Sequence, residues 1–260
     1  MTWALKRQII FVSILVVFFL GLGYFAISPY INKIPTCTDG KQNGDEVGVD
    51  CGGSCALVCT FEADRVSVLW SRIFKVVPGR YNGVAYLENH NTNSVVSKIS
   101  YRFRFADKDN IYIGKREGET FIPPGARFAI FEPAIGVGNS IPVFTSFEFT
   151  SIPVWVKVSE DKLKQLKLKS SDLVFLNQDT KPILSATIAN NSLFTIPEVG
   201  VVVILYDESG NAVNTSRTYI DELGPEEPQI INFTWPLPIP GNIVEKEILF
   251  IYDILKASLK

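Results

Sequence analysis

Apolar and polar positions divide the chain into two regimes: one unbroken apolar run near the start, then short apolar runs separated by turns. Ile9 to Ile27 carries no charge over 19 positions, and 14 of these are Ile, Leu, Phe or Val. As a helix the run rises roughly 28 Å, close to the ~30 Å hydrocarbon core of a bilayer. Those residues favour insertion by about 4 to 8 kcal/mol, reduced by Gly21, Gly23 and Ser13. Lys6 and Arg7 precede the run and only Lys33 follows closely. The positive-inside bias therefore predicts residues 1–8 in the cytosol, a transmembrane helix over 9–29, and the remainder outside. Trp3, Tyr24 and Tyr30 fall where interfacial aromatics belong. A cleaved signal peptide ending near Ala26-Ile27-Ser28 is the main alternative, and a buried core helix a third; either of the first two exports the rest. The lipid bilayer is thus the first expected partner, and the cell membrane the expected location.

From Phe61 onward the pattern is that of strands. Tyr101, Phe103 and Phe105 alternate with Ser100, Arg102 and Arg104. A period of two makes a half-buried strand with an aromatic inner face. Val201 to Tyr206 is continuously apolar, which predicts deeper burial. Asp107-Lys108-Asp109-Asn110 and Asp207-Glu208-Ser209-Gly210-Asn211 carry hairpin-turn chemistry. Pro123-Pro124-Gly125 and Gly224-Pro225 mark further corners. The same order of signals recurs about 100 residues later, which reads as two copies of one domain. Short strands with regular turns predict β-sandwiches. The expected fold class is therefore all-β: an N-terminal transmembrane helix, a short disulfide-rich stalk over 30–60, and two tandem immunoglobulin-like β-sandwich domains over 61–157 and 170–260. Residues 158–169 are read as a linker or short helix, since Glu160 to Lys169 is polar with Leu163, Leu166 and Leu168.

Around Val203-Ile204-Leu205-Tyr206-Asp207 the second copy resembles the FxLYD-type extracytoplasmic domain. Leu, Tyr and Asp match its signature and Val replaces Phe. Asn190-Asn191 before it and Leu223-Gly224-Pro225 after it also fit. The resemblance implies an immunoglobulin-like sandwich and no particular activity. The first copy keeps only the Asp of the signature.

All four cysteines, Cys37, Cys51, Cys55 and Cys59, lie in one short segment. An even, clustered count beyond a membrane span reads as two disulfides, with three pairings open. Zinc is the alternative, but C-x2-C knuckles are missing. Asp39, Asn43, Asp45, Glu46 and Asp50 place hard oxygen ligands between glycine turns, so calcium is a candidate cofactor; the bland reading is a solvated loop held by disulfides. The spacing is not that of an EF-hand. DGKQNGDEVGVDCGGSC resembles the motif D-G-x-x-N-G-D-E-x-G-x-D-C-G-G-x-C of bacterial cell-surface and secreted proteins. That resemblance implies an exported, disulfide-bonded module.

Composition narrows the function classes. Lys plus Arg is 25 against 27 acidic residues, which gives no basic excess for nucleic acid. Aromatics at 12% supply a packed core. His90 is the only histidine, so a Ser-His-Asp or Cys-His set has one candidate base on a turn. No phosphate loop, dinucleotide fingerprint or H-E-x-x-H is present. Acidic pairs such as Glu117 and Glu119 read as solvated residues rather than glycosidase carboxylates. Trp70, Trp155 and Trp235 read as core or junction residues. Sequons begin at Asn190, Asn214 and Asn232. The expectation is a non-enzymatic, membrane-anchored extracytoplasmic interaction or structural protein, with envelope proteins as candidate partners. A calcium-dependent stalk or adhesion module is the second reading, and an envelope hydrolase the third.

Overall fold

The computed structural model describes residues 3–31 and 37–259. It falls into two compact units, residues 1–57 and 58–260. In the first, helix α1 runs Trp3–Ile31, and Lys6–Ser28 is long and apolar enough to cross a membrane. The helix thus exceeds the expected 9–29 at both ends, because Lys6, Arg7 and Gln8 have good helix propensity. Lys33 lies outside the described residues, as does the side chain of Tyr30.

The second unit begins at Val58, whose N–H donates to the Trp155 carbonyl at 3.0 Å. Strands β1 (Ser67–Val77), β2 (Arg80–Glu88), β3 (Ser94–Ala106), β4 (Tyr112–Ile122), β5 (Arg127–Gly136), β6 (Phe144–Phe149) and β7 (Val156–Lys157) precede a one-and-a-half-turn helix, α2 (Glu160–Gln165). Then come β8 (Leu168–Leu176), β9 (Ile183–Asn190), β10 (Phe194–Tyr206), β11 (Ala212–Leu223), β12 (Pro228–Thr234), β13 (Glu245–Ile251) and β14 (Ser258–Leu259). The helix stops short of Lys169 because Leu168 already pairs with Asn190 in the β8–β9 ladder.

Four antiparallel sheets result. Sheet A has the order β1-β2-β5, and sheet B β4-β3-β6 with β7 beside the start of β3. Sheet C has the order β12-β9-β8, and sheet D β11-β10-β13 with β14 beside the start of β10. The connectivity of the first seven strands is thus that of the last seven. Local chemistry repeats with it. The Asp107 carboxylate accepts the N–H groups of Asp109 and Ile111. The Asp207 carboxylate accepts those of Ser209 and Asn211. Asn89 donates its amide to the Pro123 carbonyl, and Asn190 donates to the Leu223 and Gly224 carbonyls. Each buried asparagine closes one end of its half, satisfying carbonyls that water cannot reach.

Side-chain alternation assigns the cores. Ala85, Leu87, Phe103, Phe105, Phe128 and Ile130 pack between sheets A and B. Leu184, Ile188, Val201, Val203, Leu205 and Phe233 pack between sheets C and D. The intervening residues of A and D form a third cluster: Val84, Tyr86, Ala129 and Phe131 meet Val202, Ile204 and Leu249. Sheets A and D are therefore buried on both faces, which is why β2 and β10 read as continuous apolar runs. This also makes the two sheet pairs one compact unit. Arg102 and Arg104, by contrast, point out of sheet B and pair with Glu117 and Glu148.

A charge placed between A and D should separate the halves. Val202→Arg is expected to cost about 3 to 5 kcal/mol, the penalty of an unpaired buried charge. Urea titration of the sheet-bearing region measures it.

Candidate functional site

The loop from Cys37 to Cys55 is the chemically densest segment of the first unit; Cys59 lies just inside the second. Cys37 and Cys55 are bonded. Cys51 and Cys59 are disulfide-bonded too, and no cysteine is free. The acidic candidate calcium ligands accept hydrogen bonds within the loop. The Asp50 carboxylate accepts the N–H groups of Asp39 at 3.0 Å and Gly40 at 2.9 Å. Asp39 accepts the Lys41 N–H and the Asn43 side-chain amide. Asp45 accepts the Ser54 hydroxyl at 2.8 Å. Glu46 is buried, and its Oε2 accepts the Asn43 N–H at 3.1 Å and the Asp50 N–H at 3.4 Å. Its Oε1 lies 3.4 Å from the Cys55 sulfur. That contact is no hydrogen bond, because a disulfide sulfur carries no proton. The same fact disposes of the Cys37, Glu46 and Cys55 cluster as a metal site: its sulfurs are bonded to each other. No other His, Cys, Asp or Glu triplet with metal-ligand geometry occurs among the described residues.

The double glycine closes the loop. Gly52 and Gly53 both have positive φ, at 78° and 52°. A Cβ on Gly52 would sit 2.5 Å from the Val47 Cβ, and one on Gly53 would overlap the Asp45 carbonyl. The Asp and Gly residues of this loop thus mostly shape its backbone. Carboxylates cap turn amides, and glycines allow two chain segments to touch.

In the second unit, the Leu-Tyr-Asp triplet divides its work. Leu205 fills the C–D core. Asp207 builds the turn, and the Asn211 backbone N–H holds its carboxyl below the usual range. Tyr206 reaches the A–D contact. Its hydroxyl donates to Glu247 Oε2 at 2.7 Å, while Tyr86 donates to Glu247 Oε1 at 2.6 Å. One carboxylate is held by a phenol from each half. Arg72 donates to the Ala212 carbonyl and Arg217 to the Phe131 carbonyl, fastening the rim. Burial, then the Glu247 carboxylate, pushes the Tyr86 phenol up to about 12 and Tyr206 in the same direction.

The remaining candidates stand apart. His90 is exposed, with Nε2 3.2 Å from the Ser67 hydroxyl. Glu117 pairs with Arg102 and Lys115, and Glu119 with Lys98. Trp155 and Trp235 are buried, and Trp70 lies against Tyr86 at the A–D junction. A crevice of about 510 Å³ between the 123–127 corner and β13 is lined mainly by apolar residues, among them Leu163, Leu166, Ile248 and Phe250. Sequence reasoning missed the Tyr86–Glu247–Tyr206 clamp. Glu247 stands next to the apolar stretch Ile248 to Ile251, and the sequence offers no signal that singles it out from Glu245 and Lys246.

The chain matches no family model and no curated protein. Among solved structures it is similar to a red sea bream transglutaminase, with 8% identity and a TM-score of 0.24 over 72% of this chain and 31% of that one. It is also similar to dimeric latent PorU from Porphyromonas gingivalis, with 11% identity and a TM-score of 0.21 over 74% and 21%. Vicilin from Capsicum annuum gives 9% identity and a TM-score of 0.17 over 78% and 87%. The chain thus spans under a third of the first two.

Gly53→Ala is expected to block closure of the loop, leaving Cys37 and Cys55 reactive to alkylation where the parent protein shows no free thiol; mass spectrometry after maleimide labelling reads this out. Alkaline pH should loosen the A–D contact. An unfolded tyrosine ionises near 10 and folded Tyr86 near 12, so its contribution is complete below pH 10 and is lost as pH rises through 12. The urea midpoint should fall over that window, and fall less steeply in Tyr86→Phe with Tyr206→Phe.

Proposed function

We propose that this chain is a membrane-anchored, extracytoplasmic interaction or structural protein of a cell envelope, without catalytic activity, whose outer region consists of two tandem immunoglobulin-like β-sandwiches. One observation carries the reading: an apolar helix fit to cross a membrane is followed along the chain by four cysteines, all oxidised. Disulfides persist in oxidising spaces, so the residues after the helix belong on the side away from the cytosol, and the N-terminus inside. The repeated connectivity and the matching Asp107 and Asp207 turns support a tandem pair. Two sandwiches fused through A and D form a rigid body suited to presenting a surface.

Two measurements on intact cells test it. Protease added from outside should degrade the C-terminal part while leaving a short N-terminal fragment, and lysine-directed cross-linking should recover an envelope protein. A fully protected C-terminal part with four alkylatable thiols would overturn the reading.

A further inference from the structure

The four sheets end differently. Sheet B closes one side with charge: Arg102 pairs with Glu117 and Glu148, and Arg104 with Glu148. Counted back from the matching Asp turns, Arg102 and Arg104 stand where sheet D carries Val202 and Ile204. Across from Arg102 stands Glu148; across from Val202 stands Leu249. The first half thus carries charge at the positions through which the second half binds its neighbour. Charges on an exposed sheet face leave it without a contiguous apolar patch to offer another molecule.

Sheet C has no such protection. By connectivity it corresponds to sheet A, and its outer face to the face of A that sheet D covers. Strands β9 and β12 contain no charged residue at all. Lys169 and Asp172 both stand on the edge strand β8. Four aliphatic side chains lie open on this face: Ile230 at 72% exposure, Leu176 at 58%, Val174 at 49% and Ile183 at 37%. The register sets Leu176 beside Ile183 and Val174 beside Ser185. It also sets Ile230 beside Thr187 and Asn232 beside Ser185. The result is a surface of aliphatic, Ser, Thr and Asn side chains, with Lys169 at its β8 margin beside Ala189.

We propose that the outer face of sheet C is a self-association surface, on which a second copy of this chain packs its own sheet C about a two-fold axis. This rests on the reading of the chain as an envelope interaction protein and names its partner. The occupant follows from charge. Head-to-tail stacking of copies would bring sheet C against sheet B, which would strip water from the Arg102 and Glu148 network with nothing to replace it. The neutral face available on a second copy is sheet C itself, and an isologous two-fold contact is the commonest way such a face closes. Three strands about seven residues long give a footprint of roughly 350 Å², below the ~800 Å² per partner of a stable complex. Association is therefore weak in dilute solution and depends on the raised local concentration of anchored copies.

The test uses the full chain in its own membranes, with a benzophenone amino acid at position 187. Irradiation should give an adduct of two copies joined through sheet C, identified by mass spectrometry. Ile230→Arg with Leu176→Arg should reduce its yield at least tenfold, while Lys115→Ala on sheet B leaves it unchanged. Because Ile230 and Leu176 are exposed, the melting temperature of the arginine variant should match that of the parent; a variant that melts lower is replaced by Asn232→Arg, with the same loss expected. No two-copy adduct, an adduct only to a different protein, a yield insensitive to the arginines, or a glycan on Asn232 covering the face would each overturn the proposal. If lysine-directed cross-linking still recovers an envelope partner, self-association alone falls.

Discussion

Sheets A and D are each packed on both faces, and the rest of the sheet-bearing unit depends on that. A β-sheet with one apolar face makes a sandwich by finding one partner. Here β2 and β10 each supply two apolar sets, one per face, at alternate residues. Ala85 and Leu87 belong to one core while Val84 and Tyr86 belong to the contact with the other half. Val201, Val203 and Leu205 serve the C–D core while Val202 and Ile204 meet sheet A. Neither half can present its middle sheet to water without exposing a row of Val, Ile, Phe and Tyr. The tyrosine pair on Glu247 then sets the register of that contact, since an apolar surface alone is indifferent to small sliding.

Much of the strand layout could be read from the chain. The alternation through Tyr101, Phe103 and Phe105 gave one buried face, and those residues are in the A–B core. The Asp107 and Asp207 segments form turns of one kind because an aspartate can accept the N–H groups two and four residues on. What could not be read was the partner of each second face. Periodicity reports how many faces of a strand are apolar, but not which distant surface covers them. Val201 to Tyr206 announced double burial, yet nothing in it names Phe131 or Tyr86 as the neighbours. The stretch Glu160 to Lys169 left linker and short helix open, and its helix ends early because ladder pairing at Leu168 overrides the helix propensity of the Lys and Leu residues around it.

The cysteine loop teaches a related lesson. Five oxygen-bearing side chains lie between glycines in this loop, and composition alone does not fix where their carboxylates point. In a loop this short the turn amides are the nearest donors, and Asp39, Glu46 and Asp50 each accept one or more of them. The same residues that suggested a ligand set hold the backbone so that the cysteines can bond. Chain order then joins three parts: a helix long and apolar enough to cross a membrane, a loop whose cysteines are all oxidised, and a compact unit of four sheets.

Native-state hydrogen exchange of the sheet-bearing region bears most directly on the shared burial of A and D. Shared burial predicts that the amides of Val84 to Leu87 and of Val201 to Leu205 are the slowest in the region and exchange with one common opening free energy, since neither strand is released without the other. Two well-separated free energies, with one half opening fully while the other stays protected, would contradict it.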